Sequence, residues 1–310
     1  MSIMITGCAG FIGSHATEEF LSAGYDVIGV DSMTYAGKVE NMSTFLSDIS
    51  FFKDDICDTG RMKDIICSYD ITTVINFAAH THVDNSINSC DDFIYSNVFG
   101  VKSLLDACRT TDAELLQVST DEVYGSILSG SFDESSQMFP QNPYSATKAS
   151  AEHMIYAWAN TYGTNHKIVR MSNCFGPRQH DEKFIPTILR KLSSGEKVPV
   201  YGTGENIREW FYVKDCVSML RSIHEKGASG EIYNLTMKNE MKNLEVIENI
   251  CTLLGADMSS SIEFVSDRLG HDYRYSMENK KVMGIHDKPQ TPFEVALRKT
   301  VASFSQRHNL

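Results

Sequence analysis

Short apolar runs and amphipathic stretches alternate through the first half of the chain. Strand-length runs rich in β-branched and aliphatic residues fall at Ser2–Thr6, Asp26–Val30, Ile49–Phe52, Val74–Phe77, Glu114–Ser119 and His166–Met171. Between them the pattern lengthens and predicts helices over Gly13–Ala23, Gly60–Ser68, Cys90–Thr110 and Pro143–Tyr162. Strands alternating with helices imply an α/β fold, a doubly wound parallel sheet with pairs of helices on each face. Ligands of such sheets lie at the carboxyl ends of the strands. After Met171 the rhythm breaks into shorter elements, with helices near Phe184–Ser194, Lys214–Glu225, Asn243–Leu254 and Thr291–Ser305. This divides the chain into a first domain over residues 1–171 and a smaller lobe over 172–310, which returns a helix to the first.

Composition narrows the partners. A net charge of −12 over 310 residues argues against nucleic acid or an anionic membrane surface. No apolar run approaches the roughly 20 residues of a membrane span. A strand from Ser2 and a glycine loop from Gly7 leave no room for a signal peptide, which predicts a cytoplasmic protein. The eight cysteines are scattered, with no Cys-x-x-Cys pair, and read as reduced thiols. His80 and His82 sit in a strand-end loop with no third ligand in register, so no metal is expected.

The first strand runs into Gly7-Cys-Ala-Gly10-Phe-Ile-Gly13 and then a helix. Glycines there permit positive φ and let the backbone approach a pyrophosphate, which rests on the helix N-terminus. Asp31 ends the second strand, where a carboxylate accepts bonds from ribose hydroxyls and repels a 2′-phosphate. NAD is therefore expected rather than NADP, in a Rossmann-type domain. Asp55 and Ile56, just after the third strand, are placed to hold the adenine edge.

Tyr144 and Lys148 share one helix face, four residues apart. A phenol becomes a base near neutral pH only when a neighbouring ammonium and a cationic cofactor lower its pKa. The fifth strand ends in Thr120-Asp121-Glu122. Adjacent carboxylates at a strand end are poor core residues, because burying charge is costly, and they suit paired acid and base work.

The chain resembles the nucleotide-sugar 4,6-dehydratases of the extended short-chain dehydrogenase/reductase family, those acting on dTDP-glucose or UDP-glucose. The resemblance rests on Thr6–Ser14, Asp31–Lys38, Ala79–Ser86, Thr120–Glu122, Asn142–Lys148 and Asp267–Asp272. It implies that Tyr144 takes the 4-hydroxyl proton while hydride passes from C4 to NAD, later to return at C6. Glu122 would remove the C5 proton, Asp121 would protonate the departing 6-hydroxyl, and Thr120 would bond the 4-oxygen. By the same resemblance the cofactor site takes in Phe11, Ile12, Ser32, Thr34, Ala78, Ala79, Asn97 and Cys174. The substrate site takes in Thr81, Asn173, Lys183, Phe184, Pro199, Val200, Tyr201, Arg208, Asn243, Arg268 and His271.

Arginine forks suit a diphosphate; on charge usage alone Arg208 and Arg268 would read as surface ion pairs. Cys174 stands where the family often has asparagine, and Leu269 where it usually has proline. A homodimer joined through Cys90–Thr110 and Pro143–Tyr162 is implied by the resemblance only. A 4-epimerase or decarboxylase using the same Tyr144 and Lys148 is the alternative, against which the carboxylate pair argues. A catalytically silent NAD-binding protein would have no need to keep all four groups. The base of the nucleotide, dTDP or UDP, stays open.

Overall fold

The structure, a computed structural model, describes residues 1–308. The first half comprises β1 (Ser2–Thr6), α1 (Phe11–Ser22), β2 (Asp26–Val30), β3 (Ser50–Phe52), α2 (Thr59–Ser68), β4 (Ile71–Asn76) and α3 (Val83–Asn88). A single helical rod follows, made of α4 (Asp91–Phe93), a π-helical stretch (Ile94–Phe99) and α5 (Gly100–Thr111). Next come β5 (Glu114–Thr120), α6 (Pro143–Tyr162) and β6 (His166–Met171). The remainder holds β7 (Asn173–Phe175), α7 (Phe184–Ser193), β8 (Val198–Tyr201), β9 (Ile207–Tyr212), α8 (Val213–Lys226) and β10 (Ile232–Leu235). It closes with β11 (Glu240–Lys242), α9 (Asn243–Leu254), α10 (Met258–Ser261), β12 (Ile262–Val265), α11 (Lys280–Met283) and α12 (Phe293–His308).

Seven strands form one parallel sheet in the order β10-β6-β5-β4-β1-β2-β3. The first six follow the doubly wound order, and the reversal between β1 and β4 opens a crevice at their carboxyl ends. β10 departs from the expected division at residue 171, because residues 232–235 pair with β6 as the seventh strand. The smaller lobe returns α8 as well, packed on α1. The expected two helices on each face become three on one side, where α2, α5 and α6 cover a core of Ile28, Val74, Leu104 and Ile155. The other face buries Ala16 and Phe20 of α1 with Cys216 and Leu220 of α8. The rest of the lobe adds a three-stranded sheet, β11-β9-β7, and a two-stranded one, β12-β8.

Two local features set the site. Asn142 caps α6 by accepting from Ser145 N–H at 2.9 Å, Pro143 opens the first turn, and Gly163 closes the helix with φ of 71°. That fixes the turn carrying Tyr144. The second is the π-helical stretch, which hydrophobic periodicity does not reveal. Within it the Asn97 amide accepts from His80 N–H at 2.9 Å and donates to His80 O and Thr147 Oγ1, each at 3.0 Å. Asn97 thereby ties the loop after β4 to α6.

Candidate active site

A cavity of about 290 Å³ opens at the carboxyl ends of β1, β4, β5 and β6. Its cofactor side is backbone. Gly7 has φ of 70°, and a Cβ there would lie 2.8 Å from Ala78 N. A Cβ on Gly13 would lie 2.1 Å from Gly7 O, so the turn closes only without side chains. Gly10 caps α1 without a side-chain acceptor, and the first turn carries no acidic residue, so its N–H groups face the cavity as an anion site. Gly10, Phe11, Ile12, Ala79 and Cys174, expected at the cofactor, also lie in the wall.

Asp31 stands behind this loop, nearly buried, accepting from Ala9 N–H at 2.9 Å and Met33 N–H at 2.8 Å. It shapes the glycine turn as well as ending β2. Ser32 and Thr34 lie exposed on the following loop. Asp55 accepts from Cys57 N–H at 2.9 Å and makes a turn. The Ile56 side chain is core, 2.6 Å from a Cβ placed on Gly100, so only its backbone is left to meet an adenine. Asn97 is 1 % exposed and acts through the His80 loop described above.

The opposite wall carries the reactive groups. Thr120, Asp121, Glu122, Tyr144 and Lys148 all line the cavity, with Thr81, Asn173, Lys183 and Phe184 facing them. Lys148 donates to Val118 O at 2.6 Å, and burial brings its ammonium down to about 8. Burial, then the charge of Glu122, pushes the Tyr144 phenol up, while the nearby Thr120 hydroxyl opposes the rise. The expected lowering of Tyr144 is therefore absent from the protein's own groups, because desolvation outweighs them. Burial, reinforced by Glu122 and Glu209, holds the Asp121 carboxyl well above the carboxylate range. Glu122 is also raised by burial, but Asn142 Nδ2 donates to its Oε2 at 3.1 Å and Arg208 and Arg268 draw it back. Arg208 acts on both carboxyls, so they differ in the rest of their setting: Asp121 faces two carboxylates, whereas Glu122 has the Asn142 donor and Arg268 favouring the base.

The residues expected at the substrate separate into groups. Lys183 donates to Thr81 O at 3.1 Å and Thr81 Oγ1 at 3.2 Å, bridging the lobes. Phe184 stacks on Trp210 with centroids 5.7 Å apart. Arg208 is no surface ion pair. It is 6 % exposed, donates to Ile207 O at 2.7 Å and Asp272 O at 2.8 Å, and lies over the Tyr275 ring. Arg268 reaches Asp84 Oδ1 only at 3.5 Å, and its buried Nε has no partner. His271 pairs with Asp267 at 2.6 Å beside the exposed Tyr201. Val200 is core and Pro199 half-buried in β8, while Asn243 opens α9 with its N–H on Asn206 O at 3.0 Å.

Sequence reasoning passed over Ser172, Gln179, Glu182 and Trp210, which also line the cavity, and Asn142, which holds Glu122. Ser172 directly follows β6 and was findable by the strand-end rule. Asn142 was findable as the cap before Pro143. Trp210 gave no signal. Among the described residues no group of three or more His, Cys, Asp or Glu is placed to hold a metal.

The model of the GDP-mannose 4,6-dehydratase family matches residues 4–300. The chain is 41 % identical over 305 residues to the low-salt glycan biosynthesis protein Agl12 of Haloferax volcanii, covering 97 % of each. It is 40 % identical over 313 residues to a dTDP-glucose 4,6-dehydratase of Actinoplanes sp., again 97 % of each. The crystal structure of DesIV, a dTDP-glucose 4,6-dehydratase of Streptomyces venezuelae solved with NAD bound, superposes with a TM-score of 0.96 at 37 % identity. That match covers 100 % of this chain and 98 % of the other.

Proposed function

The chain belongs to the GDP-mannose 4,6-dehydratase family, and on that premise we propose that it is an NAD-dependent hydro-lyase converting a nucleoside-diphosphate glucose to its 4-keto-6-deoxy sugar. One observation carries the reading: Asp121 and Glu122 share a cavity wall with Tyr144 and Lys148. Oxidation at C4 alone would need only the last two. A carboxyl kept protonated beside one held by a donor is the equipment for removing water.

The glycine turn and the uncapped start of α1 fit a dinucleotide pyrophosphate, and Asp31 at the end of β2 fits NAD. NAD, when bound, supplies a reversible hydride acceptor. Tyr144 receives the 4-hydroxyl proton; the protein's own groups do not lower its phenol, so the positive charge of bound NAD would have to, and Lys148, anchored on Val118 O, is left to position that cofactor. Thr120 holds the 4-oxygen. Glu122, oriented by Asn142, takes the C5 proton once the 4-keto group has acidified it. Asp121 delivers its proton to the departing 6-hydroxyl. Lys183, Arg208 and Arg268 supply positive charge on the side where a diphosphate would sit.

The dTDP-glucose 4,6-dehydratases among its relatives favour the dTDP sugar over the UDP sugar. A homodimer is supported by exposed Ile94, Tyr95 and Phe99 on the Asp91–Thr111 rod and Tyr162 on α6. The eight cysteines are free thiols, which suits the cytoplasm, and no helix of the described residues is long and apolar enough to cross a membrane.

Incubation with dTDP-glucose or UDP-glucose, read by mass spectrometry, should show loss of water from one of them. Substrate deuterated at C4 should carry its label to C6, and turnover in heavy water should place deuterium at C5. Label lost to solvent, or kept at C4 of an epimerised sugar, would overturn the reading.

A further inference from the structure

A third carboxylate is buried beside the reactive pair. Thr120 stands opposite Met171 in the register of β5 and β6, and Asn173 stands opposite Trp210 in that of β7 and β9. Ser172 joins β6 to β7. Asp121 directly follows Thr120 and Glu209 directly precedes Trp210, so both carboxylates adjoin Ser172 at the seam where the large sheet meets the three-stranded one. Asp121 is 4 % exposed and Glu209 1 %. Two carboxyls buried this close do not both ionise readily, and the donors around each decide which keeps a proton.

Those donors are unequal. Glu209 Oε2 accepts from the Thr236 hydroxyl. Its Oε1 accepts from Met277 N–H at 3.3 Å and lies 3.1 Å from the Ser276 hydroxyl, which Glu240 shares. Burial raises the Glu209 carboxyl, but Thr236, the Met277 N–H and Ser276 draw it back toward the ionised form, since a backbone N–H can only donate. Asp121 has one long contact, from Thr120 Oγ1 to Oδ1 at 3.3 Å, and its buried Oδ2 has no partner. The Ser172 hydroxyl beside it is unpartnered as well.

We propose that Glu209 is a positioning residue for the elimination step: its carboxylate, held ionised by Thr236, Met277 and Ser276, keeps the proton on Asp121. The role rests on the reading of Asp121 as the acid. Other charges are accounted for. Glu122 acts on Asp121 in the same direction, and the Arg208 guanidinium opposes both. On the far side of Glu209, Glu240 is neutralised by Arg274 at 2.6 Å.

The sign follows from repulsion. With the charge of Glu209 gone, Asp121 releases its proton more easily, so its acid form survives only to a lower pH. The basic limb of the dehydration profile then moves down. The test is infrared titration of the holoenzyme, following the carboxylic-acid carbonyl band assigned by its loss in Asp121→Asn. Glu209→Gln should move that band's midpoint down by about one pH unit, a tenfold weaker hold on the proton. The basic limb should move with it, and Glu209→Asp, which keeps the charge, should restore both. Thr236→Val, which removes one of the donors, should shift the band the same way and serves if Glu209→Gln does not fold. A band unmoved in folded, NAD-loaded Glu209→Gln overturns the proposal. A band that moves while the basic limb stays fixed upholds the coupling and instead removes Asp121 as the acid.

Discussion

The cofactor end and the substrate end of the cavity are made of different material. At the first, Gly7, Gly10 and Gly13 present backbone, and contact depends on side chains being missing. At the second, Thr81, Asn173, Lys183 and Trp210 come from separate elements that meet only in the folded chain. The first is contiguous in sequence, and two of its glycines, Gly7 and Gly13, leave no room for an added atom. The second is dispersed and works through charge, so its members can be exchanged one at a time. Asp121 and Glu122 sit where the two meet, at the end of β5.

The largest expected effect is therefore at the junction. Glu122→Gln and Asp121→Asn should each lower dehydration by about 10²–10⁴-fold while C4 oxidation survives. Glu122→Gln should show it most plainly, with reduced cofactor absorbance rising on addition of substrate and little product leaving. If C4 oxidation disappears as well, the carboxylates belong to the first half-reaction and the boundary between the two ends is misplaced.

A smaller loss should follow from adding one methyl group at the cofactor end. In Gly13→Ala the new Cβ would meet Gly7 O at 2.1 Å, and the turn must open to admit it. Overpacking of this kind costs about 1–3 kcal/mol. Protein purified without additions should carry NAD(H), and Gly13→Ala should carry far less, by assay of the supernatant after denaturation. Full NAD content in the variant would show that the turn is less constrained than its contacts imply.

The same contrast explains what was legible in the sequence. β1, β2, β6, α6 and α9 have the predicted bounds, because each is an unbroken apolar or amphipathic run with a clear cap or turn at its end. β7, β9 and β10 were missed: each is six residues or fewer, and Ile207–Tyr212 mixes charge with aromatics. Their burial comes from partners distant in sequence, which local pattern does not encode. The glycine loop, Tyr144, Lys148 and the carboxylate pair were legible because spacing alone brings each group together. The setting that separates Asp121 from Glu122 was not. It depends on Asn142, Glu209 and Arg268, which are brought in by other elements.

The smallest effect divides two residues that the sequence treats alike. Arg208 and Arg268 were both expected on the diphosphate. Arg208 commits its donors to the carbonyls of Ile207, Asp272 and Tyr273 and stacks on Tyr275, so it braces the segment after His271. Arg268 has one long contact to half-exposed Asp84 and a buried Nε without a partner. Arg208→Ala should thus cost stability, about 1.5–3 kcal/mol for a charge-assisted bond, along with any loss of binding. Arg268→Ala should leave the melting temperature nearly unchanged, because an exposed pair is worth about 0–1 kcal/mol, and should weaken binding of dTDP or UDP in calorimetry. Asp84→Asn serves as the control. It removes the same ion pair without removing the guanidinium, so it should leave nucleotide affinity unchanged or slightly raised. Equal loss of affinity in Asp84→Asn and Arg268→Ala would mean that the pair orders the loop, and Arg268 would then join Arg208 as a brace.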